Sequence, residues 1–136
     1  LVKTIAPALA SGTWVLCDRF ADSTIAYQGY GHGVSRRGLD QLNTLVSQGR
    51  RPDLTFILDL AVDAGLARAS QRAGAGVAAR EDRYESMDVV FHERLRAGFQ
   101  EIAAAEPERC VVLDAAQSEE TVFAEVRNII EQRFLS

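Results

Sequence analysis

The chain has 136 residues, of which 47% are hydrophobic and 25% are charged, and its net charge is −4. This composition suits a single globular domain over residues 1–136, and because no basic run occurs we expect no nucleic-acid partner. No apolar stretch reaches the ~18 residues of a membrane span, and no signal-peptide pattern opens the sequence. Cys17 and Cys110 each border an apolar run, which predicts buried thiols in a reducing compartment, so we expect a cytoplasmic protein without membrane association.

The hydrophobic pattern predicts helices and strands that alternate along the chain. Apolar residues at helical spacing predict helices, and short apolar runs predict buried strands. In chain order the predicted elements are a helix over 1–10, a strand over 13–17, a helix begun by Asp22 or Ser23, a loop at Gly29, Gly31 and Gly33, a helix over 38–48, a strand over 54–60, a helix over 62–71, a loop over 73–79, a helix over 86–106, a strand over 110–113 and a helix over 119–134. This alternation predicts an α/β fold in which helices cover a parallel sheet.

Polar residues follow each of the three predicted strands. They are Asp18 and Arg19, Asp59, and the stretch 114–118. Ligands of open parallel sheets bind beyond the carboxyl ends of the strands, so we expect these residues at one edge of the sheet. The alternative is that Asp59 and Asp114 only end strands or cap helices.

The helix after Arg19 carries a polar face. Ser23, Thr24, Tyr27 and Gln28 fall on one side of a helix, since residues four apart share a face. Hydroxyls, an amide and an aromatic ring suit a small polar ligand better than a hydrophobic core.

Arginines are concentrated around the small-residue loop at 73–79. Arg68, Arg72, Arg80 and Arg83 lie within sixteen residues, and the planar guanidinium is well suited to phosphate. This density predicts a lid over about 72–85 that closes on a phosphorylated ligand. The alternative is a solvated helix face whose arginines pair with carboxylates.

Several familiar motifs are absent from this sequence. It has no G-x-x-x-x-G-K-[ST] phosphate loop and no G-x-S-x-G hydrolase motif. The histidines, His32 and His92, have no partners at metal-ligand spacing, so a zinc site is not expected.

The stretch DRFADSTIAYQGYG at 18–31 resembles the signature of thymidylate kinases, which transfer a phosphoryl group from ATP to dTMP. RRPDLTFILDL, GLARASQR, REDRYES and FHERLRAGF also resemble family segments, in the same order. The resemblance implies a P-loop NTPase fold of the nucleoside-monophosphate-kinase type that lacks its N-terminal P-loop strand. That strand would lie between the strand before Asp18 and the strand before Asp59, so we expect the 136 residues to be inactive alone.

The resemblance also implies ligands and an assembly state. The reaction would give dTDP, with ADP as co-product, for dTTP synthesis, and would need Mg²⁺. The family is usually dimeric, so we expect a homodimer, with the segment 38–48 as a candidate for the interface.

On the dTMP side, the resemblance assigns contacts to residues of the signature. Arg19 would bind the dTMP phosphate and shield the transferred group, and Tyr27 would pack on the deoxyribose, leaving no room for a 2′-hydroxyl. Thr24 and Ser23 would contact the thymine edge with support from Gln28. The full set is Asp18, Arg19, Ser23, Thr24, Tyr27, Gln28 and Tyr84.

On the ATP side, the resemblance assigns phosphate contacts to the lid and adenine contacts to the loop after the last strand. Asp18 would lie near the magnesium, through water. The catalytic set is Arg19, Arg80 and Arg83, and the ATP-binding set is Arg68, Arg72, Ala115, Gln117 and Ser118.

Two other functions stay open at this point. Another P-loop deoxynucleoside or nucleotide kinase would share the Asp-Arg pair and an arginine-bearing lid, but it would lack the Tyr-Gln-Gly continuation seen here. A non-catalytic relic would bind nucleotide without transferring phosphate.

Overall fold

The computed structural model describes residues 3–74 and 87–135, and the side chains within them except those of 72–74. Six α-helices, one π-helix and two strands occur in these residues. In chain order they are α1 (Ile5–Ala10), α2 (Ala21–Thr24), the π-helix (Ile25–Gly31), α3 (Arg36–Ser47), β1 (Thr55–Asp59), α4 (Val62–Gly74), α5 (Val89–Ala105), β2 (Cys110–Asp114) and α6 (Glu119–Phe134).

The two strands are parallel and in register from Thr55 opposite Cys110 to Asp59 opposite Asp114. They match two of the predicted apolar runs, and α5 packs on them while α6 contacts β2. A parallel pair needs a crossover connection, which α4 and α5 supply. The predicted fold class, a parallel sheet covered by helices, is confirmed.

The predicted strand over 13–17 was wrong, because these residues adopt no regular structure. Trp14 is 59% exposed and Leu16 is 91% exposed, and Cys17, predicted to be buried, is exposed as well. A strand forms only where a neighbour completes its hydrogen bonds. Among the described residues the sheet contains β1 and β2 alone, so this segment has no partner strand.

The predicted loop at Gly29 and Gly31 was also wrong, since the helix continues through Gly31 as a π-helix. The amide of His32 donates to the Tyr27 carbonyl over 3.1 Å, a bond that spans five residues. Glycine disfavours helix by roughly 1 kcal/mol, but here the packing of the π-helix on α5 outweighs that preference. Gly33 has a φ of 74° and ends the helical run.

Helix boundaries differ from the prediction by a few residues elsewhere. Pro7 is tolerated in α1 because it lies in the first turn, where its missing N–H is not needed. Residues 73 and 74 of the predicted loop over 73–79 belong to α4, which extends to Gly74, and the remainder of that loop lies outside the described residues.

The hydrophobic core lies between the π-helix, α5 and one face of the sheet. Phe91 on α5 is 2% exposed and contacts the π-helix. Val89 and Val90 are more than half exposed although apolar, because they form the first turn of α5. The buried members of this cluster are Ile25, Ala26, Ile57, Phe91, Leu95, Ile102, Ala103 and Cys110. No helix in the described part of the chain is long and apolar enough to cross a bilayer.

Candidate functional site

The polar helix face predicted from the sequence runs from α2 into the π-helix. Ser23, Thr24, Tyr27 and Gln28 are all half-buried. Residues four or five apart share a face where a helix widens to π geometry, so the structure keeps these side chains on related faces of one continuous element. π-Helical turns are frequent at functional sites, although nothing in the sequence predicted one here.

Arg19 lies beside this face. Its guanidinium carbon lies 5.5 Å from the centroid of the Tyr27 ring, within cation–π range. Its φ of 62° is in the left-handed region, a conformation that costs non-glycine residues about 1–3 kcal/mol and is concentrated at functional sites. The thiol of Cys17 donates to the Arg19 carbonyl over 3.3 Å. The structure therefore brings together Arg19 and Tyr27, two of the predicted residues.

Asp18 is exposed. Among the described residues no hydrogen bond or ion pair joins Asp18 or Arg19 to Asp59 or Asp114. The ends of β1 and β2 do share one edge, since Asp59 is in register with Asp114, and the placement of Asp18 and Arg19 at that edge stays a prediction. The segment after Arg19 is attached to the sheet through Asp22, beside the amino ends of the strands.

That attachment is an ion pair which sequence reasoning missed. Asp22 accepts from Arg109, which directly precedes β2, over 2.7 and 3.0 Å. The two side chains are 14% and 12% exposed. The hydrogen bond from Arg109 lowers the pKa of Glu106, which also contacts it. No local signal could have paired Asp22 with a residue 87 positions away.

Asp59, at the carboxyl end of β1, has a structural partner. Arg96 of α5 donates to its two oxygens over 2.8 and 2.7 Å, and Gln100 adds contacts of 3.3 Å. The Arg96 hydrogen bond holds the pKa of the Asp59 carboxyl below its ordinary value. This arrangement favours the structural interpretation of Asp59 left open by the sequence.

Residues assigned to ATP converge in part at the end of β2. The Arg68 guanidinium on α4 donates to the Ala115 carbonyl over 2.9 Å. Ser118 caps α6, accepting from the Thr121 amide over 3.2 Å, and Gln117 donates to Glu125 over 3.4 Å. Arg68 and Ala115 thus meet, whereas the Gln117 and Ser118 side chains have local partners.

Four other predicted site residues fall wholly or partly outside the part of the chain that the structure describes. Arg80, Arg83 and Tyr84 lie outside the described residues, and so does the side chain of Arg72. Their assignment stays a prediction from the sequence.

The parallel sheet, its helical cover and the arginine beside a polar helix face define an α/β protein of the nucleoside-monophosphate-kinase type. A sequence model described as thymidylate kinase matches residues 1–126. The chain therefore belongs to the thymidylate kinase family.

Individual relatives agree with this family. The chain is 48% identical to a thymidylate kinase of Desulfovibrio desulfuricans over 132 residues, which cover 96% of the chain and 61% of the relative. It is 47% identical to a thymidylate kinase of Bradyrhizobium sp., covering 98% of the chain and 58% of the relative. A crystal structure of thymidylate kinase from Ehrlichia chaffeensis superposes with a TM-score of 0.70 at 37% identity, covering 96% of this chain and 56% of that one. The chain spans about three-fifths of the length of these curated relatives.

Proposed function

We propose that the protein containing this chain transfers the γ-phosphoryl group of ATP to dTMP, giving dTDP and ADP. The observation that carries the proposal is the placement of Arg19, in a left-handed backbone conformation, over Tyr27 on the polar helix face. Membership of the thymidylate kinase family supports the same substrate class. In the reaction the bond from the γ-phosphorus to its bridging oxygen breaks, and a dTMP phosphate oxygen bonds to that phosphorus.

Arg19 is proposed to bind the dTMP phosphate. Arg19 is an exposed residue and makes no ion pair within residues 3–74 and 87–135, so its charge is available for a phosphate. Arginine forks bind pairs of phosphate oxygens, and phosphoryl transfer depends mainly on positioning and charge stabilisation. No protein base is required in this proposal.

The polar face is proposed to contact the nucleoside. Tyr27 packs on the deoxyribose and excludes a 2′-hydroxyl, while Thr24, Ser23 and Gln28 contact or support the thymine edge. The half-burial of these residues supports this role, because polar side chains that line a ligand pocket are partly withdrawn from water yet still reach its surface.

The ATP side is proposed from fewer observations. Arg68 and the loop 115–118 are joined by the Arg68–Ala115 hydrogen bond, which supports a shared role beside adenine. Arg72, Arg80, Arg83 and Tyr84 are assigned to the ATP phosphates and the nucleotide from the sequence alone.

Magnesium is proposed to accompany ATP. Mg²⁺ is commonly bound through one or two carboxylates, water and substrate phosphates. Asp18 is exposed and offers such a carboxylate. When bound, the ion supplies charge neutralisation on the phosphates.

A homodimer is proposed because α3 exposes an apolar surface. Leu42, Leu45 and Val46 of this helix are 50%, 77% and 63% exposed. Apolar side chains grouped on an exposed surface are typical of an interaction site. The proposed substrates are cytoplasmic metabolites, so we place the reaction in the cytoplasm.

The experiment is a phosphoryl-acceptor panel on the natural polypeptide that contains this chain, at its full length. With ATP and Mg²⁺, dTMP should have the highest kcat/KM in a panel of acceptors. The panel contains dTMP, its ribo-analogue with a 2′-hydroxyl (ribothymidine 5′-monophosphate, TMP), dUMP, dCMP, dAMP, dGMP and thymidine. Arg19→Ala should lower kcat at least about a hundredfold, as loss of a charge-stabilising donor does. Arg37→Ala, which removes an exposed arginine of α3, is the matched control and should stay within twofold.

The outcomes separate the three candidate functions. Preference for the nucleoside thymidine, or for a nucleotide other than dTMP, would favour a different kinase of the same fold. Binding of dTMP without turnover would favour the non-catalytic relic. Turnover of Arg19→Ala within a few-fold of wild type would contradict the role given to Arg19.

A further inference from the structure

The segment that carries the polar face is fixed at its amino end by one arginine from a distant part of the chain. Arg109 donates from Nη1 and Nη2 to the two carboxylate oxygens of Asp22, which directly precedes Ser23. The two-point contact sets both the distance and the orientation of the Asp22 side chain. A single ammonium group would set the distance alone.

Arg109 is itself held rigidly. Its Nε donates to Glu106 over 2.9 Å, and its Nη1 donates to the Thr55 hydroxyl over 2.7 Å. The Thr55 amide also donates to the Arg109 carbonyl over 2.9 Å, which fixes the backbone where β1 and β2 begin. Asp22 is therefore connected to the sheet, through a side chain that is only 12% exposed.

The other end of the segment is fixed against α5. The Tyr30 ring lies directly on Gly98, and the Phe91 ring lies directly on Gly31, where a β-carbon would come within 2.6 Å of either ring. These contacts leave little freedom for sliding or rotation. The polar side chains between Asp22 and Tyr30 are thus held between two fixed points.

We infer that Arg109 is a positioning residue for nucleoside-monophosphate binding, acting through Asp22 on the face formed by Ser23, Thr24, Tyr27 and Gln28. The inference rests on the proposed function. Removing the guanidinium leaves the half-buried Asp22 carboxylate without its two-point partner. The amino end of the segment then shifts, because no other side-chain hydrogen bond among the described residues joins Asp22 to the sheet. A displacement of about 1 Å at a binding face is enough to lower activity by two orders of magnitude.

The test uses Arg109→Lys in the natural full-length polypeptide, because lysine keeps the charge and loses the fork. The KM for dTMP should rise at least tenfold, while the KM for ATP stays within twofold. Asp22→Asn keeps the shape of the side chain and removes its charge, so it should also raise the KM for dTMP. This variant provides the test if Arg109→Lys does not fold.

Arg51→Lys is the matched control. Arg51 donates to Glu106 over 2.7 Å, as Arg109 does, but has no contact with Asp22 among the described residues. It should leave both KM values within twofold of wild type. Melting temperatures of all variants separate a loss of stability from a loss of positioning.

Three results would overturn the inference. One is a dTMP KM within twofold of wild type in both Arg109→Lys and Asp22→Asn. The second is an equal rise of the KM values for ATP and dTMP, which indicates a general loss of structure and not a displacement of the dTMP face. The third is an equal effect of Arg51→Lys. A wild-type protein without dTMP phosphorylation refutes the proposed function itself, an outcome distinct from an active wild type with unaffected variants.

Discussion

Replacing Gly98 with alanine should destabilise the protein, although alanine favours helices. A β-carbon at this position would lie 2.5 Å from Cγ, 2.6 Å from Cδ2 and 2.7 Å from Cβ of Tyr30. Carbon atoms pack at about 3.5–4.0 Å, so a separation of about 1 Å is required. Because Tyr30 Cβ is among the contacts, rotation of the ring cannot supply it, and the π-helix must move away from α5.

The magnitude follows from two opposing effects. Overpacking costs about 1–3 kcal/mol, and this contact, close to two backbones, belongs near the upper limit. Alanine favours the helix over glycine by about 1 kcal/mol, so the free energy of unfolding should fall by about 2 kcal/mol in total. Gly38→Ala is the matched control, since a β-carbon at Gly38 in α3 meets nothing within 4 Å. It should gain roughly 0.5–1 kcal/mol, a difference of about 3 kcal/mol between the same substitution at two sites.

The assay is urea unfolding of the natural full-length polypeptide, comparing midpoints at constant slope. Tyr30→Ala removes two of the three closest atoms. In a Tyr30→Ala background, Gly98→Ala should therefore lower the free energy of unfolding by less than it does in the wild type. The reasoning is refuted if Gly98→Ala is as stable as Gly38→Ala, or if Tyr30→Ala leaves the cost unchanged.

Two further predictions concern substrate choice and acid stability. Tyr27→Ala should narrow the preference for dTMP over TMP by about 1–3 kcal/mol, measured as the ratio of kcat/KM values, and an unchanged ratio would mean that another residue excludes the 2′-hydroxyl. The Arg96 hydrogen bond lowers the pKa of Asp59, so its stabilisation is complete above the ordinary carboxyl value and is lost as the pH falls below about 4. Asp59→Asn should therefore destabilise the protein at pH 7 and reduce the loss of stability on acidification. Asp53→Asn, at an exposed position, is the control and should change neither the stability at pH 7 nor its loss in acid. Equal acid sensitivity of the wild type and Asp59→Asn would contradict the reasoning.

Some of the candidate site could be predicted because it is local in sequence. Arg19 and Tyr27 are eight residues apart within one motif, and the structure places the guanidinium over the ring. The helix over 119–134 was predicted at its observed limits, since Ser118 supplies an N-cap and acidic residues occupy the first turn. Apolar runs likewise located β1 and β2 within two residues. In each case the pattern that gave the prediction lies within one short stretch of sequence, although β1 and β2 form only because each completes the hydrogen bonds of the other.

The sequence by itself determined the family, the alternation of elements and the side chains of the polar face. Tertiary structure alone decided how that face is held. The strand predicted over 13–17 has no partner strand among the described residues, and the glycines predicted to form a loop became part of a π-helix because rings of the π-helix and α5 fit against Gly31 and Gly98. The Asp22–Arg109 pair joins positions 87 residues apart. Propensity and periodicity report only on near neighbours, whereas these features depend on which surfaces the completed fold brings into contact.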